Sequence, residues 1–156
     1  PQEAQESLLA EHLACIEGAG DAKPVVVHCR KAVGRLLEVL GASSIEPSRF
    51  IFHCFTEGPQ DVRAVLDFGA WVGFTGVVTF ANAPEVAESP RLVPLDRMLV
   101  ETDAPYLSPE PVRSLRPNEP RTVVHVARRL AAIRGVDGGE LEIQLDANAR
   151  QLFGLP

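Results

Sequence analysis

The sequence predicts an α/β protein built on a parallel sheet, and three observations carry that reading. Four apolar runs recur every 21 to 27 residues. Most intervals between them hold apolar residues at helical spacing, and strand-helix alternation of this kind implies right-handed crossovers between parallel strands. The runs are apolar on consecutive positions, as in V-V-V (Val25 to Val27) and F-I-F (Phe50 to Phe52). That pattern suits strands covered on both faces better than strands with one wet face.

Taken in order, Glu3 to Glu17 carries Leu9, Leu13 and Ile16 at helical spacing and is expected to stop at Gly18. A loop from Gly18 to Lys23 follows, and Pro24 opens the first strand. Val33, Leu36, Leu37 and Leu40 then fall at i, i+3, i+4 and i+7, a helix closed by Gly41. The second strand spans Arg49 to Phe55. Gln60 to Phe68 is helical, with Val62, Val65 and Leu66 on one face and Gly69 as its stop. The third strand, Ala70 to Phe74, continues into T-G-V-V-T-F, where Gly73 and Gly76 suggest a bend or a close backbone approach.

Ala83 to Leu95 holds three prolines and at most a short helix. The fourth strand is Met98 to Glu101. A proline-rich loop runs from Pro105 to Pro117, with Asn118 as N-cap and Pro120 in the first turn of a helix ending at Arg134 before Gly135. A last helix, about Glu140 to Phe153, turns Leu141, Leu145 and Leu152 inward.

With 156 residues and 46% hydrophobic content the chain is long enough for one domain with a real core. A formal net charge of -6 excludes non-specific attraction to nucleic acid or anionic membrane over the whole surface, so any phosphate contact must be local. Three cysteines without framework spacing indicate a reducing compartment. No apolar stretch approaches the ~20 residues of a membrane span and no signal segment opens the chain, so the reading is cytoplasmic, with no membrane partner.

The chemistry gathers at strand ends. His28 and His53 each follow three apolar residues, and the fourth strand ends in Glu101 and Asp103. Alternation puts Glu101 and Asp103 on one face, and it turns Cys29 and Cys54 away from the histidines, which argues against a mixed His/Cys zinc site. Two neighbouring carboxylates repel unless one is protonated or a cation lies nearby. In α/β sheets and barrels, ligands bind at the carboxyl ends of the strands, where these groups would meet. The alternative is a set of polar strand termini bonded to loops. His12 and His125 are isolated on helical patterns, and His12 reads as a solvated helix residue.

V-V-V-H-C-R-K-A, F-H-C-F-T, W-V-G-F-T-G-V-V-T-F, L-V-E-T-D-A-P-Y-L, R-P-N-E-P and N-A-R-Q-L-F-G-L resemble, in the same order, blocks of the TatD family of metal-dependent deoxyribonucleases. The resemblance implies a TIM (β/α)8 barrel that holds divalent metal ions (Mg, Mn or Zn, two in the full-length enzyme) and hydrolyses DNA phosphodiesters. It assigns His28, His53 and Asp103 as metal ligands, with Asp103 also activating water. Imidazole and carboxylate suit first-row divalent ions, which lower the pKa of water and polarise phosphoryl oxygens. Glu101 becomes an orienting acceptor behind the ligands. Arg30 and Arg113 become candidates for substrate phosphate, since guanidinium matches its geometry.

The departures matter as well. The family's H-x-H strand and its G-E-x-G-L-D block are absent, so the chain reads as the C-terminal half of the barrel, about strands five to eight with their helices. Such a barrel takes ~250 residues, so roughly the first hundred are expected to be missing. Glu57 stands where glycine is usual, Val112 and Ser114 replace a histidine and a glycine, and Pro117 is inserted. Half a barrel is expected to have little or no activity alone. Two other readings are an amide or ester hydrolase on the same barrel and a non-catalytic half-barrel that self-associates through its open sheet edges.

Overall fold

The computed structural model describes residues 1–20 and 23–156. Four parallel strands, β1 (Val25–His28), β2 (Phe50–His53), β3 (Trp71–Phe74) and β4 (Met98–Val100), form one sheet in the order β1-β2-β3-β4. Sequential parallel neighbours require a crossover each time. These are supplied by α2 (Val33–Gly41), α3 (Pro59–Phe68) and α4 (Pro84–Leu92), while α1 (Gln2–Ala19) precedes the sheet and α5 (Val123–Arg134) and α6 (Gly138–Phe153) follow it. Among the described residues no helix is long and apolar enough to cross a membrane.

The main core lies between the sheet and the helices. Phe50, Phe52, Val72, Phe74 and Met98 on alternate strand positions meet Leu40, Val62, Val65, Leu130 and Leu141 from the helices. All ten are at most 1% exposed, and each full burial of this kind is worth about 1.5–3 kcal/mol. The opposite strand positions carry a smaller cluster of Ile51, Trp71 and Leu99 with Leu152 against it. Beyond that cluster, on the same alternation, come His53, Gly73 and Glu101, so the face that leads to the polar strand ends is apolar at its base.

Several element limits differ from the sequence reading for local reasons. α1 passes through Gly18 and ends instead at Gly20, whose φ of 63° supplies the left-handed turn; of the loop expected from Gly18 to Lys23, Asp21 and Ala22 lie outside the described residues. The strands are shorter than expected, and the extension of β3 is a 3-10 turn, Gly76–Thr79. The short helix allowed between Ala83 and Leu95 does form, as the nine-residue α4. Pro84 sits in its first turn, where no N–H partner is needed, and Pro90 falls in its last. Asn118 does not cap a helix: its Nδ2 donates to the Tyr106 carbonyl (2.6 Å) and its Oδ1 accepts from Thr122 Oγ1 (2.8 Å), so it fastens the proline-rich loop to the start of α5. The cap that does form is Asp137, whose Oδ1 accepts the Gly139 and Glu140 amides ahead of α6.

Two anchors fix the ends of the chain to this frame. Arg35 on α2 grips Glu6 on α1 through Nε (2.9 Å) and Nη2 (2.6 Å). Asn148 on α6, 1% exposed, donates to the carbonyls of Leu95 (2.6 Å) and Met98 (2.8 Å), pinning α6 to the entry of β4.

Candidate metal centre

The site is assembled where β2, β3 and β4 end. The parallel ladders continue briefly past the strands, with the Phe55 amide donating to Gly73 O (2.9 Å) and the Glu101 amide to Phe74 O (3.0 Å). This carries His53 and Glu101 onto the same level. The His53 Nδ1 lies 2.7 Å from Glu101 Oε2, and the other oxygen, Oε1, accepts the Cys54 amide at 2.7 Å. Both carboxylate oxygens are thereby used. With the Nδ1 proton directed at Glu101, the Nε2 lone pair is the free one, and it faces Asp103 with Oδ1 at 3.4 Å.

Electrostatics follow from these contacts. Partial burial of the His53 ring disfavours its charged form, but the hydrogen bonds and charges of Glu101 and then Asp103 outweigh it, and the pKa is raised above the ordinary 6.5. The same pair of carboxylates would attract a metal cation in place of a proton. Nitrogen and oxygen donors 3.4 Å apart, with the imidazole oriented from behind by a carboxylate, fit a first-row divalent ion.

Asp103 is placed by the loop that follows it. Its carbonyl accepts the Tyr106 amide (2.7 Å), Asn118 holds the Tyr106 carbonyl, and the Asn118 amide donates to Pro105 O (2.9 Å). Further along, the Ser108 hydroxyl donates to Leu115 O (2.6 Å), so the long loop is closed on itself by hydrogen bonds.

Of the residues singled out from the sequence, His53, Glu101 and Asp103 come together. His28 ends β1 in register with His53 and on the same side of the sheet, but it is exposed and stands outside the close cluster. Arg30 is exposed two residues beyond it. Arg113 is already engaged, its guanidinium 3.6 Å from the centroid of the Phe80 ring and its Nη1 donating to Ser108 O (3.3 Å).

Cys54 corrects the alternation argument. Cys29 does pack into the core, as expected, whereas Cys54 joins His53 and Asp103 in one compact group. The reason is local: Cys54 has φ 48°, which breaks the strand geometry and brings its thiol back to within 3.0 Å of Thr75 Oγ1. Burial raises the thiol pKa, Thr75 opposing and the charges of Asp103 and Glu101 reinforcing, so it is a neutral group at pH 7. Nothing in the sequence pattern marks a positive φ at a cysteine. Gly73 and Gly76, by contrast, were visible as lone glycines in an apolar run. Both have tight surroundings: a Cβ at Gly73 would collide with the Glu101 carboxylate, and one at Gly76 with Leu107 O.

A parallel α/β frame whose strand ends bring an oriented histidine and an aspartate within 3.4 Å offers nitrogen and oxygen donors of the kind a divalent metal ion takes. The chain belongs to the TatD related DNase family, whose model matches residues 1–154. It is 41% identical over 131 residues to the metal-dependent hydrolase YcfH of Escherichia coli K12, covering 84% of this chain and 49% of that protein. It is 39% identical over 159 residues to the 3'-5' ssDNA/RNA exonuclease TatD of Klebsiella pneumoniae, covering 99% of this chain and 59% of that one. Among solved structures, the TatD homologue YJJV of Escherichia coli superposes with a TM-score of 0.89 at 27% identity, over 99% of this chain and 58% of that one. The chain thus spans about half the length of the curated relatives it matches.

Proposed function

We propose that this chain forms one half, about strands five to eight, of a TIM-barrel hydrolase that cleaves nucleic-acid phosphodiesters, and that His53 and Asp103 are ligands of its divalent metal ion. The observation that carries the reading is the relay from Glu101 through Nδ1 of His53 to an Nε2 aimed at Asp103. The half-barrel assignment is supported by four strands where such a barrel has eight. It is also supported by the free side of β1, where Val26 is 57% exposed beside a groove of about 1180 Å³ that α1 lines with Leu9, Leu13 and Ile16. A further parallel strand fits that space. The 156 residues are accordingly read as a single domain that is incomplete on its own.

A divalent ion held by His53 and Asp103, with His28 at the margin, would supply Lewis acidity toward a phosphoryl oxygen and a lowered pKa for water. The chain's own contribution is positional. Glu101 keeps the Nδ1 proton in place and holds the ring at a fixed angle. Asp103 can take up the proton that water loses on attack, and its loop is fastened by Tyr106 and Asn118 so that the carboxylate does not retreat. Tyr106, 69% exposed and pinned at both its amide and its carbonyl, offers a ring on which an unpaired base can stack. Arg30, exposed beside His28, suits a phosphate contact, while Arg113 shapes the loop through Phe80.

The Klebsiella pneumoniae relative, named as a 3'-5' ssDNA/RNA exonuclease, makes a single-stranded nucleic acid the substrate to try first. The test is hydrolysis of single-stranded DNA, duplex DNA, a phosphodiester dye and an amide by the full-length protein with magnesium or manganese, alongside the Asp103→Asn variant. Single-strand cleavage lost in the variant supports the reading. Amide turnover without nuclease activity, or nuclease activity indifferent to Asp103→Asn, would sink it.

A further inference from the structure

We infer that Gly73 is a positioning residue of this site, acting through the space that its missing side chain leaves for the Glu101 carboxylate. Gly73 is fully inside β3, its backbone has no positive φ, and nothing in a regular strand asks for glycine there. Glycine in a strand interior costs stability and normally marks a place where another group must come close. Here the group is identifiable. The three nearest heavy atoms to an added Cβ all belong to Glu101, with Oε1 in outright collision, Cδ at 2.9 Å and Oε2 at 3.5 Å. The carboxylate therefore lies flat against the β3 backbone in a slot one methyl group deep.

Occupying the slot is what lets one carboxylate serve two donors. Oε1 must reach the Cys54 amide and Oε2 the His53 Nδ1, both at 2.7 Å; His53 ends β2 and Cys54 follows it, and β3 lies between them and β4, which Glu101 directly follows. The side chain has to pass over β3 to get there, and it passes at Gly73. Any larger residue would lift Glu101 off the sheet, release His53 from its fixed tautomer and leave the Cys54 amide without its acceptor. The specificity of this role is clear beside Gly34, a helical glycine with open space around its Cβ position.

The experiment compares Gly73→Ala, Glu101→Ala and the double variant in the full-length protein, with Gly34→Ala as control. Gly73→Ala is expected to lower the melting temperature, to shift the His53 ring nitrogens from an Nδ1–H pattern to a mixed one by 15N NMR, and to weaken Mn2+ binding about ten-fold or more. Once Glu101 is truncated the obstacle is gone, so alanine at position 73 should cost nothing further: the double variant melts with Glu101→Ala. That arm decides the matter even if Gly73→Ala alone does not fold. An unchanged His53 tautomer with Mn2+ affinity within about two-fold of wild type, or a double variant melting well below Glu101→Ala, overturns the inference. Only the Mn2+ arm rests on His53 being a ligand. If that reading is wrong, the wild type itself fails to bind, while the tautomer and melting comparisons still report on Gly73.

Discussion

Glu101 Oε2 lies 2.7 Å from His53 Nδ1, and this contact ties the residue just past the last strand of the sheet to the end of the second, across the backbone of the third. Replacing Glu101 by glutamine separates charge from shape. With its single acceptor oxygen on the Cys54 amide, the glutamine turns its NH2 toward His53 Nδ1, which can pair with it only as an acceptor, so the ring proton moves to Nε2 and the lone pair facing Asp103 is lost. We expect Glu101→Gln to weaken Mn2+ binding about 10- to 100-fold, read by titration calorimetry. Exchanging a charged acceptor for a neutral amide should also cost about 1 kcal/mol in denaturant unfolding.

Asp103→Asn acts on chemistry more than on fold. The residue is half-buried on a loop fastened through its backbone, and an amide fits the same volume. The expected result is a melting temperature close to wild type together with a fall in single-strand hydrolysis of about 10²- to 10⁴-fold, the range seen when a positioned proton acceptor is removed.

Asn148→Ala gives the reverse pattern. It strips the Leu95 and Met98 carbonyls of their donors at the entry of β4, the end of the strand remote from Glu101. Unfolding should cost about 1–3 kcal/mol less than in wild type. Metal affinity should not change, and a parallel loss of Mn2+ binding would mean that α6 also shapes the site.

The outcomes of the sequence reading divide along physical lines. His53, Glu101 and Asp103 were legible because period-two alternation carries a side chain's direction one or two residues beyond a strand, and the parallel register then puts neighbouring strand ends side by side. Cys54 was not, because a single positive φ reverses the alternation and leaves no trace in residue type. The short helix allowed between Ala83 and Leu95 is α4, whose prolines are tolerated because Pro84 and Pro90 each sit at an end. Arg113 looked available for phosphate in a loop without periodicity; the Phe80 ring that occupies its guanidinium comes from a segment 33 residues away in the chain.

The docking of α1 should be sensitive to acid. Hydrogen bonds from Arg35 and then Gln2 hold the Glu6 carboxyl down at about 2, against an ordinary 4.5. A depressed carboxylate adds stability above its unfolded pKa and loses it as pH falls through its folded one. Protection of α1 amides from hydrogen exchange is therefore expected to decline between about pH 4.5 and 2. Glu6→Gln should flatten that dependence; because the pair is exposed, salt should weaken it too.

Arg30 and Arg113 make opposite predictions for nucleic-acid binding, and salt dependence tells them apart. A side chain that contacts phosphate releases counterions on binding, and removing it lowers the slope of log affinity against log salt by about 0.7 on a single strand. Arg30 is exposed at the end of β1 and is expected to behave this way on substitution by alanine, with little change in stability. Arg113 is stacked on Phe80 and bonded to Ser108 O, so Arg113→Ala should instead destabilise the loop by about 0.5–2 kcal/mol and leave the slope alone. Anisotropy titrations of a labelled oligonucleotide over a range of NaCl read both quantities. If the slope falls for Arg113→Ala and not for Arg30→Ala, the phosphate contact belongs to the loop after β4, and the strand must cross the site from the Asp103 side rather than the His28 side.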